Sequence, residues 1–191
     1  MRRLEAHDAL RFEDVLKIAD RAENDRDKAL VYTLWLTGAR ISEVLRMTLD
    51  DVRLDKDEDG RDVLVFEVFT LKRRDHPTRA IPIYLDHPQD GKLAKWLIRY
   101  FKGLAQKNIR WLFPDLRSFD RPIGRKHAWR ILKRLDENLF CHLLRHSRLT
   151  EKARKKMGAF HLQKLAGWTD LRPALRYIHL DYSDLREEMK R

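Results

Sequence analysis

Within Phe140–Leu149, FCHLLRHSRL, two imidazoles and two guanidiniums fall in seven consecutive positions. On a helix, His142, Arg145, His146 and Leu149 stand at i, i+3, i+4 and i+7 and share one broad face. Leu143 and Leu144 then point elsewhere, toward a core. An imidazole titrates near neutrality and can accept a proton, whereas a guanidinium is a permanent cation whose planar fork fits carboxylates and phosphates. The same four residues could equally form a plain solvated face. His142 and His146 also imitate half a zinc site. The metalloprotease pattern, however, places Glu beside the first histidine, where Leu143 stands, and no third ligand cluster accompanies the pair.

The elements that must position these residues follow from periodicity. Phe12, Val15, Leu16, Ala19 and Ala22 keep the helical period. Lys28 to Thr37 is apolar almost all round, which predicts a central buried helix capped by Gly38. A short helix is predicted from about Ser42 to Met47. Asp62–Phe69 and Arg79–Tyr84 are β-rich runs around the polar loop Thr70 to Thr78, and Pro82 predicts an edge position for the second run. Leu93, Trp96, Leu97, Tyr100, Phe101 and Leu104 return to the helical period. Further helices are predicted at about 125–138, 142–157, 160–167, 173–180 and 182–190. The expected fold class is mainly α with a small antiparallel β-sheet inserted early, in a single domain without repeats or linkers.

Composition narrows the partners. The 191 residues are 43% apolar, enough for a proper core and against disorder. No apolar run approaches the ~20 residues that span a bilayer, and the charged start MRRLEAHDALRFEDV lacks the apolar stretch of a secretory signal. The single cysteine, Cys141, excludes an internal disulfide, fits a reducing cytoplasm, and is expected to be a buried structural thiol. Lys and Arg number 41 against 30 Asp and Glu, a net charge of +11. Residues 140–168 hold +6 of it, including Arg145, Arg148 and Lys152 against Glu151 alone, and residues 108–137 add eight basic side chains against four acidic ones. Clustered positive charge of this kind is the footprint of a polyanion binder, nucleic acid first.

Four separated segments then fall into one pattern. They are Thr37-Gly38-Ala39-Arg40-Ile41-Ser42-Glu43-Val44, the loop around Lys72, His142-Leu143-Leu144-Arg145-His146-Ser147, and Leu165-Ala166-Gly167-Trp168 with Tyr177 nine positions beyond. In order and spacing, over about residues 12–182, this resembles the catalytic domain of the tyrosine recombinases, the phage-type integrases. The resemblance implies a DNA breaking-and-rejoining fold and a site-specific recombinase acting on double-stranded DNA. It implies attack of a tyrosine hydroxyl on a phosphodiester, leaving a 3′-phosphotyrosine and a free 5′-hydroxyl. The linkage conserves bond energy, so ATP is unnecessary, and the resemblance implies no metal or other cofactor. A dimer or tetramer on DNA is the implied assembly, in the cytoplasm and without a membrane.

Roles carry over residue by residue. Arg40 and Arg145 match the pair that clamps the non-bridging oxygens of the transition state. Glu43 is expected to brace the turn. A phenol with an ordinary pKa near 10 is a poor nucleophile at neutral pH, and His142 matches the histidine that takes its proton. Arginine cannot protonate the leaving 5′-oxygen. Lys72, the one lysine of its loop, is therefore expected to be the general acid, with His76 as the runner-up donor. Trp168 stands where most relatives have histidine; its indole can donate a hydrogen bond or pack beside Tyr177, but cannot move a proton. Tyr177 is the expected nucleophile rather than Tyr182, which has acidic neighbours. His146 is expected to support its helix.

Two rivals share these residues. The relaxing topoisomerases of type IB use similar chemistry, but usually with Lys or Arg where His142 stands. A non-catalytic regulator derived from an integrase would not need Arg40, Lys72, His142, Arg145 and Tyr177 intact. The resemblance also implies that the N-terminal core-binding domain is absent from residues 1–191, and that about 182–191 form a tail helix.

Overall fold

The computed structural model describes residues 8–70 and 77–178. In chain order its elements are α1 (Phe12–Ala19), α2 (Asp25–Thr37), α3 (Ile41–Val44), β1 (Val52–Lys56), β2 (Asp62–Phe69), β3 (Thr78–Tyr84), α4 (Asp90–Gln106), α5 (Arg125–Leu135), α6 (Cys141–Arg154), α7 (Ala159–Ala166) and α8 (Arg172–Leu175). The framework is α2, which is apolar on nearly every side and is covered by α1, α4 and α6. Asn24 caps its first turn by accepting from the Asp27 amide at 3.0 Å. Gly38 ends it in the left-handed region, φ 56°, with its N–H donating to the Leu34 carbonyl. Leu30, Leu34 and Trp35 are fully buried. In comparable cores, truncating such a leucine to alanine costs about 2–5 kcal/mol.

Among the described residues the sheet is antiparallel in the order β1-β2-β3. Val65 sits opposite Pro82, so the proline is on an edge strand, as expected. β1 was not anticipated. Its residues, VRLDK, are half-buried only at Val52 and exposed thereafter, so it has no apolar alternation and is held by backbone pairing to β2. The helices lie close to the expected ranges except the last. α8 stops at Leu175 instead of continuing to about 180, and the predicted 182–190 tail lies outside the described residues.

A second, smaller apolar cluster of Leu149, Leu162, Ala166 and Ala174 joins α6, α7 and α8, with Trp168 and Tyr177 packed on its edge. No helix among the described residues is long and apolar enough to cross a membrane.

Candidate active site

The left-handed cap at Gly38 turns the chain sharply out of α2 and into α3, and Arg40 stands at the start of that short helix. Glu43, one turn on, takes the Arg40 backbone N–H on Oε2 and the Arg40 Nη1 on Oε1, both at 2.9 Å. Glu43 is buried and also receives Arg79 Nη2 at 2.8 Å. Burial alone would raise its carboxyl, but the bonds and charges of Arg79 and Arg40 outweigh that and hold it below the ordinary range. Glu43 therefore braces the turn, as expected. Arg40 keeps 22% of its side chain exposed.

Arg145 reaches the same place from α6. Its Nη1 donates to the Gly38 carbonyl at 2.7 Å and its Nη2 to the Ala166 carbonyl at 2.8 Å, and it is only 4% exposed. Desolvation, followed by repulsion from Arg40, pulls its pKa down to about 10. It stays charged at neutral pH, held by neutral carbonyls beside a second cation. The carboxylate of Glu43 offsets part of the repulsion that Arg145 feels from Arg40 and Arg79.

Trp168 follows Gly167, whose left-handed φ of 63° ends α7. The Arg145 guanidinium lies 5.5 Å from the Trp168 ring centroid, and the Tyr177 ring stacks with the Trp168 indole at 5.8 Å and 25°. Of the two uses open to Trp168, packing beside Tyr177 is the one observed. Desolvation raises the Tyr177 phenol, opposed by Arg145 and Arg176.

The histidines divide differently from expectation. It is His146 whose Nδ1 lies 3.2 Å from the Tyr177 hydroxyl. His142 is exposed one turn earlier, its pKa lowered by partial desolvation and then by Arg145, His146 and Arg40. The helical spacing that put His146 on the Arg145 face was visible in the sequence; the return of the chain to bring Tyr177 over it was not. Lys72, His76 and Tyr182 lie outside the described residues. Cys141 is half-buried, and desolvation pushes its thiol up to about 11, as a structural cysteine requires. Among the described residues no three His, Cys, Asp or Glu side chains are grouped as metal ligands.

The basic segments divide between paired inner side chains and exposed ones. Arg148 is 1% exposed and binds Asp90 and Glu151, Lys152 also binds Asp90, and Lys155 binds Glu151. Arg145, Arg148 and Lys152 are therefore turned inward, while Arg154, Lys155, Lys156 and Lys164 are exposed. α5 likewise shows Arg125, Lys126 and Arg130 to solvent beside Trp129, which is 53% exposed.

Arg40, Arg145, Trp168 and Tyr177 are thus gathered where α3, α6 and the end of α7 meet. The family model described as phage integrase family matches residues 3–184, and the chain belongs to that family. It is 29% identical to tyrosine recombinase XerD of Corynebacterium glutamicum over 85% of the chain and 51% of that protein. It is 25% identical to transposase A from transposon Tn554 of Staphylococcus aureus, over 95% of the chain and 51% of that protein. The chain thus spans about half the length of the curated relatives it matches. Its fold matches a crystal structure of XerH site-specific recombinase bound to difH substrate in a pre-cleavage complex, with TM-score 0.72 and 18% identity over 99% of the chain and 55% of that one.

Proposed function

We propose that this chain is the catalytic part of a site-specific DNA recombinase that cleaves and rejoins strands through a 3′-phosphotyrosine. The observation that carries the proposal is the convergence of Arg40 and the buried, carbonyl-held Arg145 beside Tyr177. A phosphodiester entering there supplies negative charge to Arg145, whose acceptors are neutral carbonyls, and to Arg40, which shares its one carboxylate, Glu43, with Arg79. Both forks then stabilise the extra charge of the five-coordinate transition state. Tyr177 attacks phosphorus, His142 takes its proton, and Lys72 protonates the leaving 5′-oxygen. His146, with its Nδ1 3.2 Å from the Tyr177 hydroxyl, orients the phenol. The balance is one P–O bond formed and one broken, so the linkage keeps its bond energy without ATP, and the charge stabilisation and proton transfers are assigned to side chains rather than to a metal. The partner is double-stranded DNA, met by a dimer or tetramer of the recombinase.

Names of relatives support this: XerD is a tyrosine recombinase, and the XerH structure holds its DNA substrate before cleavage. The test is strand transfer between two duplexes from a panel of attachment-site sequences. Joined recombinant strands are expected. Relaxation of supercoils without joining would instead identify a topoisomerase, and binding without cleavage a regulator.

A further inference from the structure

Arg79 has no role in the chemistry above. It stands on β3 at an inward position, on the face of Ile81 and Ile83, and is 6% exposed. A guanidinium buried in a sheet has to find acceptors, and each of its three nitrogens has one. Nη2 donates to Glu43 Oε2 at 2.8 Å, Nη1 to Thr70 Oγ1 at 2.9 Å and Nε to the Leu165 carbonyl at 3.0 Å. These acceptors lie on the turn behind Arg40, the end of β2 and the last turn of α7.

Leu165 is also the first of three consecutive residues whose carbonyls each receive a different arginine. Leu165 takes Arg79, Ala166 takes Arg145 at 2.8 Å, and Gly167 takes Arg40 at 3.5 Å. The last carbonyls of a helix lack partners within it and carry the negative end of its dipole, so three cations seated there fix where α7 ends. The fit is close: a Cβ on Gly167 would lie 2.7 Å from Arg79 Nη1. The Glu43 carboxylate held by Arg79 through Oε2 holds Arg40 through Oε1.

We infer that Arg79 is a positioning residue for the phosphate site, setting Arg40 through Glu43 and the Trp168-bearing end of α7 through the Leu165 carbonyl. This rests on the strand-cleavage function proposed above. Arg79→Lys keeps the charge but, as a single ammonium, cannot hold three separated acceptors. The experiment is single-turnover cleavage of a nicked suicide duplex at saturating DNA, with DNA affinity and melting temperature measured alongside. A displaced clamp is expected to slow cleavage by about 10²-fold while affinity stays within about threefold of the unmodified chain. A folded Arg79→Lys chain that cleaves at the unmodified rate would overturn the inference. So would a loss of binding and melting temperature in step with the rate, which is what a merely structural residue gives. If Arg79→Lys does not fold, Glu43→Gln loosens the same link isosterically and must show the same rate loss with intact binding; an unmodified rate there also overturns it. An unmodified chain that forms no adduct on any duplex is a separate result. It defeats the cleavage proposal, and the inference with it.

Discussion

The ion-pair network behind the site predicts a particular acid sensitivity. Asp90 is 5% exposed, and its two oxygens receive Arg148 Nη1 at 3.0 Å and Nη2 at 2.7 Å. Burial alone would raise this carboxyl, but the bonds and charge of Arg148, then the charges of Lys152 and His87, outweigh it and hold the pKa at about 2 against an ordinary 3.8. At about 1.4 kcal/mol per pH unit of displacement, that difference is worth roughly 2 kcal/mol. The folded value lies below the unfolded one, so this stabilisation is complete above about pH 4 and drains away as pH falls through about 2. About half has gone by pH 3. Asp90→Asn removes it and leaves Arg148 buried with Glu151, so a loss of about 2–4 kcal/mol is expected at pH 7. Urea unfolding at pH 7, 4 and 3 measures it. The gap between the unmodified chain and the variant should hold from pH 7 to about 4 and then narrow. A gap of constant size down to pH 3 would refute the pairing as the source of the depressed carboxyl. The network also bears on the site, because the Arg148 side chain packs 3.5 Å from the Cβ position of Gly38, whose carbonyl holds Arg145.

Two other outcomes follow from the site and the surface. Lys72→Ala should cleave an ordinary phosphodiester slowly but recover most of its rate on a 5′-bridging phosphorothiolate, whose sulfur leaves without a proton; equal loss on both substrates would make Lys72 a phosphate clamp. Replacing Arg125 and Arg130 by alanine should lower the slope of log affinity against log salt by about 1 for each phosphate contact removed, and an unchanged slope would take α5 out of the DNA interface.

What the sequence made legible was local. The apolar run of α2 and the glycine that ends it could be read directly, because both are set by neighbouring residues. The turn that presents Arg40 follows from them. β1 was hidden because an edge strand with exposed Arg53, Leu54 and Asp55 needs only backbone pairing and leaves no apolar signature. The direction of Arg148 and Lys152 was hidden for a different reason. Their partner Asp90 is some sixty positions away in the chain, at the start of another helix, so their charge was counted as surface. Arg79 did leave a trace: in TRAIPIY it alternates in register with Ile81 and Ile83, and a charge on the apolar face of a strand has to be paired inside. The contact of His146 with Tyr177 depends on how α7 and α8 fold back on α6, which no single segment encodes.

In the proposed reaction Tyr177 is the nucleophile, served by Arg40 and Arg145. The most direct measurement is the covalent complex formed on nicked suicide DNA, resolved by denaturing electrophoresis and mapped by peptide mass. The unmodified chain should carry the nucleotide on the peptide containing Tyr177. Tyr177→Phe should bind DNA with unchanged affinity and form no adduct, and Tyr182→Phe should retain it. An adduct on Tyr182, or one that survives in Tyr177→Phe, would contradict the assignment and with it the role given to the Arg145 face of α6.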